Sequence, residues 1–264
     1  MSARVALAMA TAAVVGACSP SPPSSALEEL RLLRVMELVG PQEPGGDWQL
    51  WGRYEATRGE VLGETDRDLR DLPVTMITAT EAAAWCAGRG LRLPTESEWQ
   101  QMPVEGGAGF ETVPPQDRNG LELNLGRPLP VGVFERGRTP LGLYDIYGNV
   151  REMAWTEDGG VRAYGGSYAA REASRDPRQQ LEMGAESRAE DVGFRYVADA
   201  TAFFLEQVVP RWEGLEREER EELILGWAEW RREYRLAFAR RLRERGAPDS
   251  LAAALEELPE ADGA

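Results

Sequence analysis

The chain holds 2 cysteines, Cys18 and Cys86, and neither histidine nor lysine, so its 30 basic residues are all arginine. Those gaps set the available chemistry. Without an imidazole there is no Ser-His-Asp triad and no His-ligated zinc, iron or copper. Without a lysine amine there is no Schiff base and no phosphate-loop lysine. Thiols, hydroxyls and carboxylates remain. Cys86 follows Trp85 in an alanine-rich stretch whose spacing predicts a helix. A thiol in that position is expected to be buried and inert. The net charge of -15 disfavours nucleic acid and anionic headgroups as partners.

The elements that must position these groups are legible in outline. Ala26 to Val39 reads as a short helix running into a strand. From Trp48 to Val197 short apolar runs are broken by Gly, Pro, Asn and Asp, the pattern of a loop-rich α+β domain. Thr80 is the expected cap of a helix through Ala87, ending at Gly88 or Gly90. Thr95-Glu96-Ser97-Glu98 has the form of a capping box opening a second helix. Beyond Thr201 glycine nearly vanishes. Pro210 is expected to break a first short helix, and Glu216 to Arg245 reads as one long helix. On it Leu223, Trp227, Trp230, Tyr234, Phe238 and Leu242 form a single apolar stripe. Gly246-Ala247-Pro248 ends it, and Asp249 or Ser250 can cap a last helix.

The N-terminus reads as an export signal. Arg4 precedes an apolar run from Val5 to Val15 that is too short for the roughly 20 residues of a membrane span. Val15-Gly16-Ala17-Cys18 resembles the lipobox of bacterial lipoproteins, which implies cleavage before Cys18 and lipidation of its thiol. An ordinary cleaved signal is the alternative. Ser19 to Ala26 is a Pro/Ser-rich tether, and Ser19 itself resembles an outer-membrane sorting signal. The expected organisation is a signal over 1–17, a lipidated cysteine and tether over 18–30, a domain over 31–198 and a helical extension over 199–264. The expected location is the cell envelope, lipid-anchored, on the outer membrane facing the periplasm or the exterior.

Four segments in order resemble the formylglycine-generating-enzyme, or sulfatase-modifying-factor, family. They are Arg53-Tyr54-Glu55-Ala56-Thr57; Leu72 to Trp99, containing Arg92-Leu93-Pro94-Thr95-Glu96-Ser97-Glu98-Trp99; Gly142 to Glu152; and Gly165-Gly166-Ser167-Tyr168 followed by Gly193-Phe194-Arg195. The resemblance covers roughly residues 48 to 198. It implies an irregular C-type-lectin-like α+β fold, to which the C-terminal helices are an extension. In this setting Trp99 is read as a core side chain, Gly165 and Gly166 as a bulge or close backbone contact, and Glu96 as the partner of Arg195.

The same resemblance implies an active site and shows where this chain departs from it. Family enzymes oxidise a substrate cysteine with copper held by two cysteines after the Gly-Gly-Ser motif. Those positions fall on Ala170 and Arg175, and neither a methyl nor a guanidinium ligates Cu(I). A sister branch holds iron with three histidines, which this chain lacks. Ser167 remains as a polar group of the motif, read more simply as a strand hydroxyl bonded to backbone. No copper or iron is expected. The loop from Asp145 to Glu152 resembles a calcium loop, which implies the Asp145 and Glu152 carboxylates with the Gly148 and Val150 carbonyls as ligands. A polar turn without metal is the other reading. Arg151 and Met153 stand where the family usually has tryptophans.

These residues point to a non-catalytic binding or scaffolding lipoprotein, a pseudoenzyme on a lectin-like fold. Its binding face would include Ser167, Tyr168, Arg171, Arg175 and Arg178, suited to a protein, peptide or glycan ligand. A divergent enzyme working through carboxylates and Ser167 is the alternative, and a structural subunit whose tail docks on a partner is a third reading. The aromatic stripe must be covered, either by the protein's own domain or by a partner.

Overall fold

The computed structural model describes residues 26–41, 46–102, 115–119, 123–170 and 180–258. Cys18, Arg171, Arg175 and Arg178 lie outside them. Helix α1 (Ala26–Leu30) runs through a 3₁₀ turn (Arg31–Val35) into strand β1 (Met36–Val39), as the sequence indicates. β1 pairs antiparallel with β2 (Gln49–Gly52), which pairs antiparallel with β7 (Val197–Asp199). All four residues of β1 are buried, so this strand is covered on both faces. A second sheet has the order β5 (Leu181–Met183), β4 (Val161–Tyr164), β3 (Arg151–Trp155) and β6 (Val192–Gly193). Its β3–β6 pairing is parallel, and its other pairings are antiparallel.

Three short helices begin with the same local device. α2 (Arg58–Leu62), α3 (Ala79–Ala87) and α4 (Glu96–Gln101) each open with a threonine that accepts from the third residue's amide while that residue's glutamate reaches back. Each box satisfies two amides that would otherwise lack partners. Thr95 and Glu98 form the expected box. For α3 the cap is Thr78 rather than Thr80, because Glu81 lies three residues after Thr78 and completes the box. The freed Thr80 hydroxyl donates to Glu186 instead.

The C-terminal extension differs from its expected form at three points. Pro210 does not interrupt the first helix. α5 (Ala200–Phe203) passes into a π-helical turn (Phe204–Val208) and then α6 (Val209–Trp212), with Pro210 in the first turn of α6. Val209 donates to Phe204, five residues back, so the widened turn absorbs the amide that proline lacks. The long helix is two, α7 (Arg217–Trp227) and α8 (Arg232–Glu244), separated by a turn. No proline or glycine sits in that turn, so tertiary packing overrides helix propensity there. The indole of Trp230 donates to Met36 of β1 at 2.6 Å, and a Cβ on Gly226 would lie 2.4 Å from the Arg34 Cα. These contacts seat α7 on the 3₁₀ turn and send α8 across β1. Finally, α9 (Asp249–Glu256) follows Pro248, and Ser250 receives the Trp212 indole rather than capping the helix.

One hydrophobic core joins the body and the extension. It contains Leu33, Met36 and Leu50 together with Phe204, Leu223, Trp227, Trp230, Phe238, Leu242 and Leu255. The buried Arg235 guanidinium reaches the carbonyls of Trp230, Leu255 and Leu258, tying the turn before α8 to the end of α9. A second core, with Trp51, Trp99, Leu143, Ile146, Tyr164 and Val197, packs under the loop that carries the site.

Candidate functional site

The loop Gly142–Val150 is shaped by left-handed backbone. Asp145 and Asn149 adopt φ of 54° and 52°, a conformation that Asp and Asn tolerate better than most residues. Gly148 at φ 96° could not carry a side chain, because its Cβ would lie 2.6 Å from the Asn119 carbonyl oxygen. Gly165 has the same constraint against the Ile146 carbonyl, also at 2.6 Å. The Gly148 amide then donates to the Gly165 carbonyl at 2.8 Å, so the two motifs interlock. The expected close backbone contact at Gly165 is present, just past the end of β4.

Below this loop lies a buried polar cluster. Glu152 does not face solvent. Its carboxylate accepts from Arg195 Nε at 3.1 Å and Nη2 at 2.5 Å, and from the Trp99 indole at 2.8 Å. The Arg195 guanidinium also donates to the carbonyls of Gly52 and Tyr144. The partner of Arg195 is therefore Glu152, not Glu96. Glu96 sits at the start of α4 and instead receives Arg162 and the Tyr164 hydroxyl. Trp99 is fully buried, stacked on Tyr164 at 5.0 Å, which makes it a core residue as expected.

Glu55 is the principal residue of this cluster that sequence reasoning did not single out. Its carboxylate accepts from the Val150 amide at 2.9 Å and the Asn149 side chain at 2.7 Å, holding the loop from beneath. It was present in the first family-like segment, but nothing in its spacing shows that the chain returns to it from residue 149. Asp145 accepts from the Gly132 amide at 2.7 Å. Burial pushes Asp145 up to about 6, and burial together with Asp145 and Glu152 holds Glu55 well above the usual carboxylate range. Three buried carboxylates thus lie in the field of the Arg195 guanidinium, which among the described residues pairs with Glu152. Among the described residues no group of three or more Asp, Glu, His or Cys side chains converges as a metal cage.

The second motif forms a separate polar network. Ser167 is not bonded to a strand carbonyl. Its hydroxyl donates to Asp191 at 2.6 Å and accepts from the Ala169 amide. Arg151 pairs with the same Asp191 oxygen, so the residue in place of a family tryptophan closes over the serine. Ala170 is buried beside them. Tyr168 is partly exposed and reaches the Glu190 carbonyl. Cys86 lies apart on α3, fully buried, and burial pushes its thiol up to about 12. The expected inert thiol is what the fold contains.

Comparison with known proteins places the chain. Residues 35–200 match the model of the Sulfatase-modifying factor enzyme 1-like domain. Hercynine oxygenase of Mycolicibacterium smegmatis is 34% identical over 129 residues, covering 45% of this chain and 27% of that protein. The protein called Inactive C-alpha-formylglycine-generating enzyme 2 of Mus musculus is 34% identical over 110 residues, covering 36% of this chain and 34% of that protein. The chain spans about a third or less of the length of these curated relatives. Among solved structures, PvdO from Pseudomonas aeruginosa superposes with a TM-score of 0.49 at 16% identity, covering 62% of this chain and 90% of that one. The matched segment is more than half of the sequence, and this chain belongs to the sulfatase-modifying factor family.

Proposed function

We propose that this chain is a non-catalytic binding or scaffolding lipoprotein, a pseudoenzyme of its family. The observation that carries the reading is the closed Ser167–Asp191–Arg151 network beside Ala170. Ala170 offers no thiolate, Arg175 offers none at the second copper position, and the serine hydroxyl is already donated to a carboxylate held by an arginine. Relatives with an inactive name and relatives named as oxygenases both occur in the family, so the residues of the site decide, not the fold. The ligand face is proposed to run from Tyr168 to Arg171, Arg175 and Arg178, with a protein, peptide or glycan as its target. Incubation with copper and a cysteine-containing sulfatase peptide should leave the peptide mass unchanged. Aldehyde formation above background would overturn the proposal.

The residues of the loop fit a calcium ion in charge. Glu55, Asp145 and Glu152 are buried against the single guanidinium of Arg195, and one oxygen of Asp145 has no hydrogen bond among the described residues. Asp145 and the carbonyls of Gly148 and Val150 would hold the ion, and Glu152 would join them by giving up a bond to Arg195 or Trp99; the ion would offset the buried negative charge and stiffen the loop. Calcium should then raise the melting temperature by mass action, and Asp145→Asn should remove that rise. Equal melting in calcium and in chelator leaves the loop as a polar turn.

The location follows from Cys18. We place the mature protein in the cell envelope, held by a lipid on that cysteine. Among the described residues no helix is long and apolar enough to cross a membrane. Mass spectrometry of the membrane fraction should find an acylated Cys18 at the mature N-terminus, and a mature form starting elsewhere would remove the anchor.

A further inference from the structure

A cavity of about 740 Å³ opens where the N-terminal segment, the body and α7 meet. It is far from a featureless gap. Arg53 and Arg89 line it from the body, Leu32 and Val35 from the first turns, and Leu225 and Gly226 from α7. Part of this wall comes from α1 and α7, which lie outside the segment matched to the family. The cavity shares none of its lining with the Asp145–Glu152 loop or with Ser167.

Its unused bonding capacity is donor capacity. Arg53 gives its Nε to Glu37 at 2.6 Å, and its Nη2 is sealed from solvent, which leaves Arg89 as the guanidinium open to a ligand. Arg89 lies over the Trp85 ring at 4.2 Å and donates to the Trp85 carbonyl, but forms no ion pair with any described residue. The acids of the wall are already engaged. Glu60 caps α2 and receives the Tyr196 hydroxyl, and Glu229 receives Arg138. Leu225 lines the cavity with 67% of its surface exposed, so its apolar side chain is open to a ligand there.

We propose that this cavity binds a monoanionic carboxylate carrying an apolar body. Guanidinium groups with free N–H edges recognise carboxylates and phosphates alike. Here the three glutamates of the wall, Glu28, Glu60 and Glu229, oppose a dianion, and Arg89 is the one guanidinium of the wall with no ion pair among the described residues, since Arg31, Arg34 and Arg53 pair with Glu28, Glu222 and Glu37. Leu32, Val35 and Leu225 supply the apolar side that an inorganic anion would leave unused. The volume lies within the roughly 300–1,000 Å³ of small-molecule sites.

The test uses the full chain with sodium decanoate as probe, and 1-decanol and inorganic phosphate as controls. Calorimetry should show one saturable decanoate site and no comparable binding of either control. Arg89→Gln removes a charge from the wall, and Leu225→Glu adds an acid at an exposed position that does not support the fold. Both should weaken decanoate at least tenfold, with melting in the absence of ligand unchanged for Leu225→Glu. The inference is overturned if decanoate fails to saturate, if decanol or phosphate binds as well, or if Leu225→Glu binds decanoate like the parent. None of these outcomes bears on copper oxidation or calcium, so this cavity and the reading of the motif face stand or fall separately.

Discussion

A chain truncated after Ala198 is expected to be recovered aggregated or with most of its stability lost. The extension is not an appendage on a finished domain. Leu223, Trp227, Trp230, Phe238, Leu242, Leu251 and Leu255 are each at most 2% exposed and belong to the core that includes Met36 and Leu50. Fully burying a large apolar side chain stabilises by roughly 1.5–3 kcal/mol, so these seven contribute on the order of 10 kcal/mol or more. Whole domains of this kind are stable by only about 5–15 kcal/mol. Truncation also uncovers β1 on the face that α8 crosses and leaves the Met36 carbonyl without the Trp230 indole. Solubility, light scattering and thermal melting of the truncated protein check this directly. A soluble monomer that melts with the full chain would show that the stripe is not needed by the body.

Glu152→Gln is expected to cost about 3–5 kcal/mol, because it removes the carboxylate that is hydrogen-bonded to the buried Arg195 guanidinium, while Glu55 and Asp145 act on that guanidinium only through space. Both side chains are essentially inaccessible, at 0% and 1% exposure, so solvent cannot compensate. Arg195→Met should cost a similar amount by leaving Glu152 charged beside Glu55 and Asp145. The double variant should recover part of the loss, since a neutral pair needs no solvation. Urea unfolding in excess chelator measures all three without metal as a variable. A single variant within 1 kcal/mol of the parent would mean that the pair is not what organises the loop.

What the sequence disclosed divides by range. Contacts three or four residues apart were legible: the Thr95–Glu98 box, the helix carrying Cys86, the aromatic stripe. Where two local solutions compete, as with Thr78 and Thr80 for one helix start, position alone did not choose between them. Contacts across the chain were not legible. Arg195 has several carboxylates to choose from, and only the crossing of β3 beside β6 brings Glu152 rather than Glu96 to it. Glu55 meets Val150 from 95 residues away, which no spacing rule reports. The split of the long helix has the same origin, since its cause is a docking contact with Arg34 and Met36 rather than any residue in the turn. Of the candidate site, the Asp145–Glu152 loop and Ser167 were legible as motifs, while Glu55, Asp191 and the facing of these groups were not.

The indole-to-carbonyl bond between Trp230 and Met36 joins residues 194 positions apart. Its consequence is temporal. A chain made from its N-terminus exposes β1 first, and the Trp230 side chain that covers it follows 194 residues later. Closing so long a loop carries an entropic cost before any burial offsets it, and folds dominated by distant pairings form slowly. This part of the core therefore closes only once α7 and α8 have been made, and β1 lacks its cover throughout the interval before them.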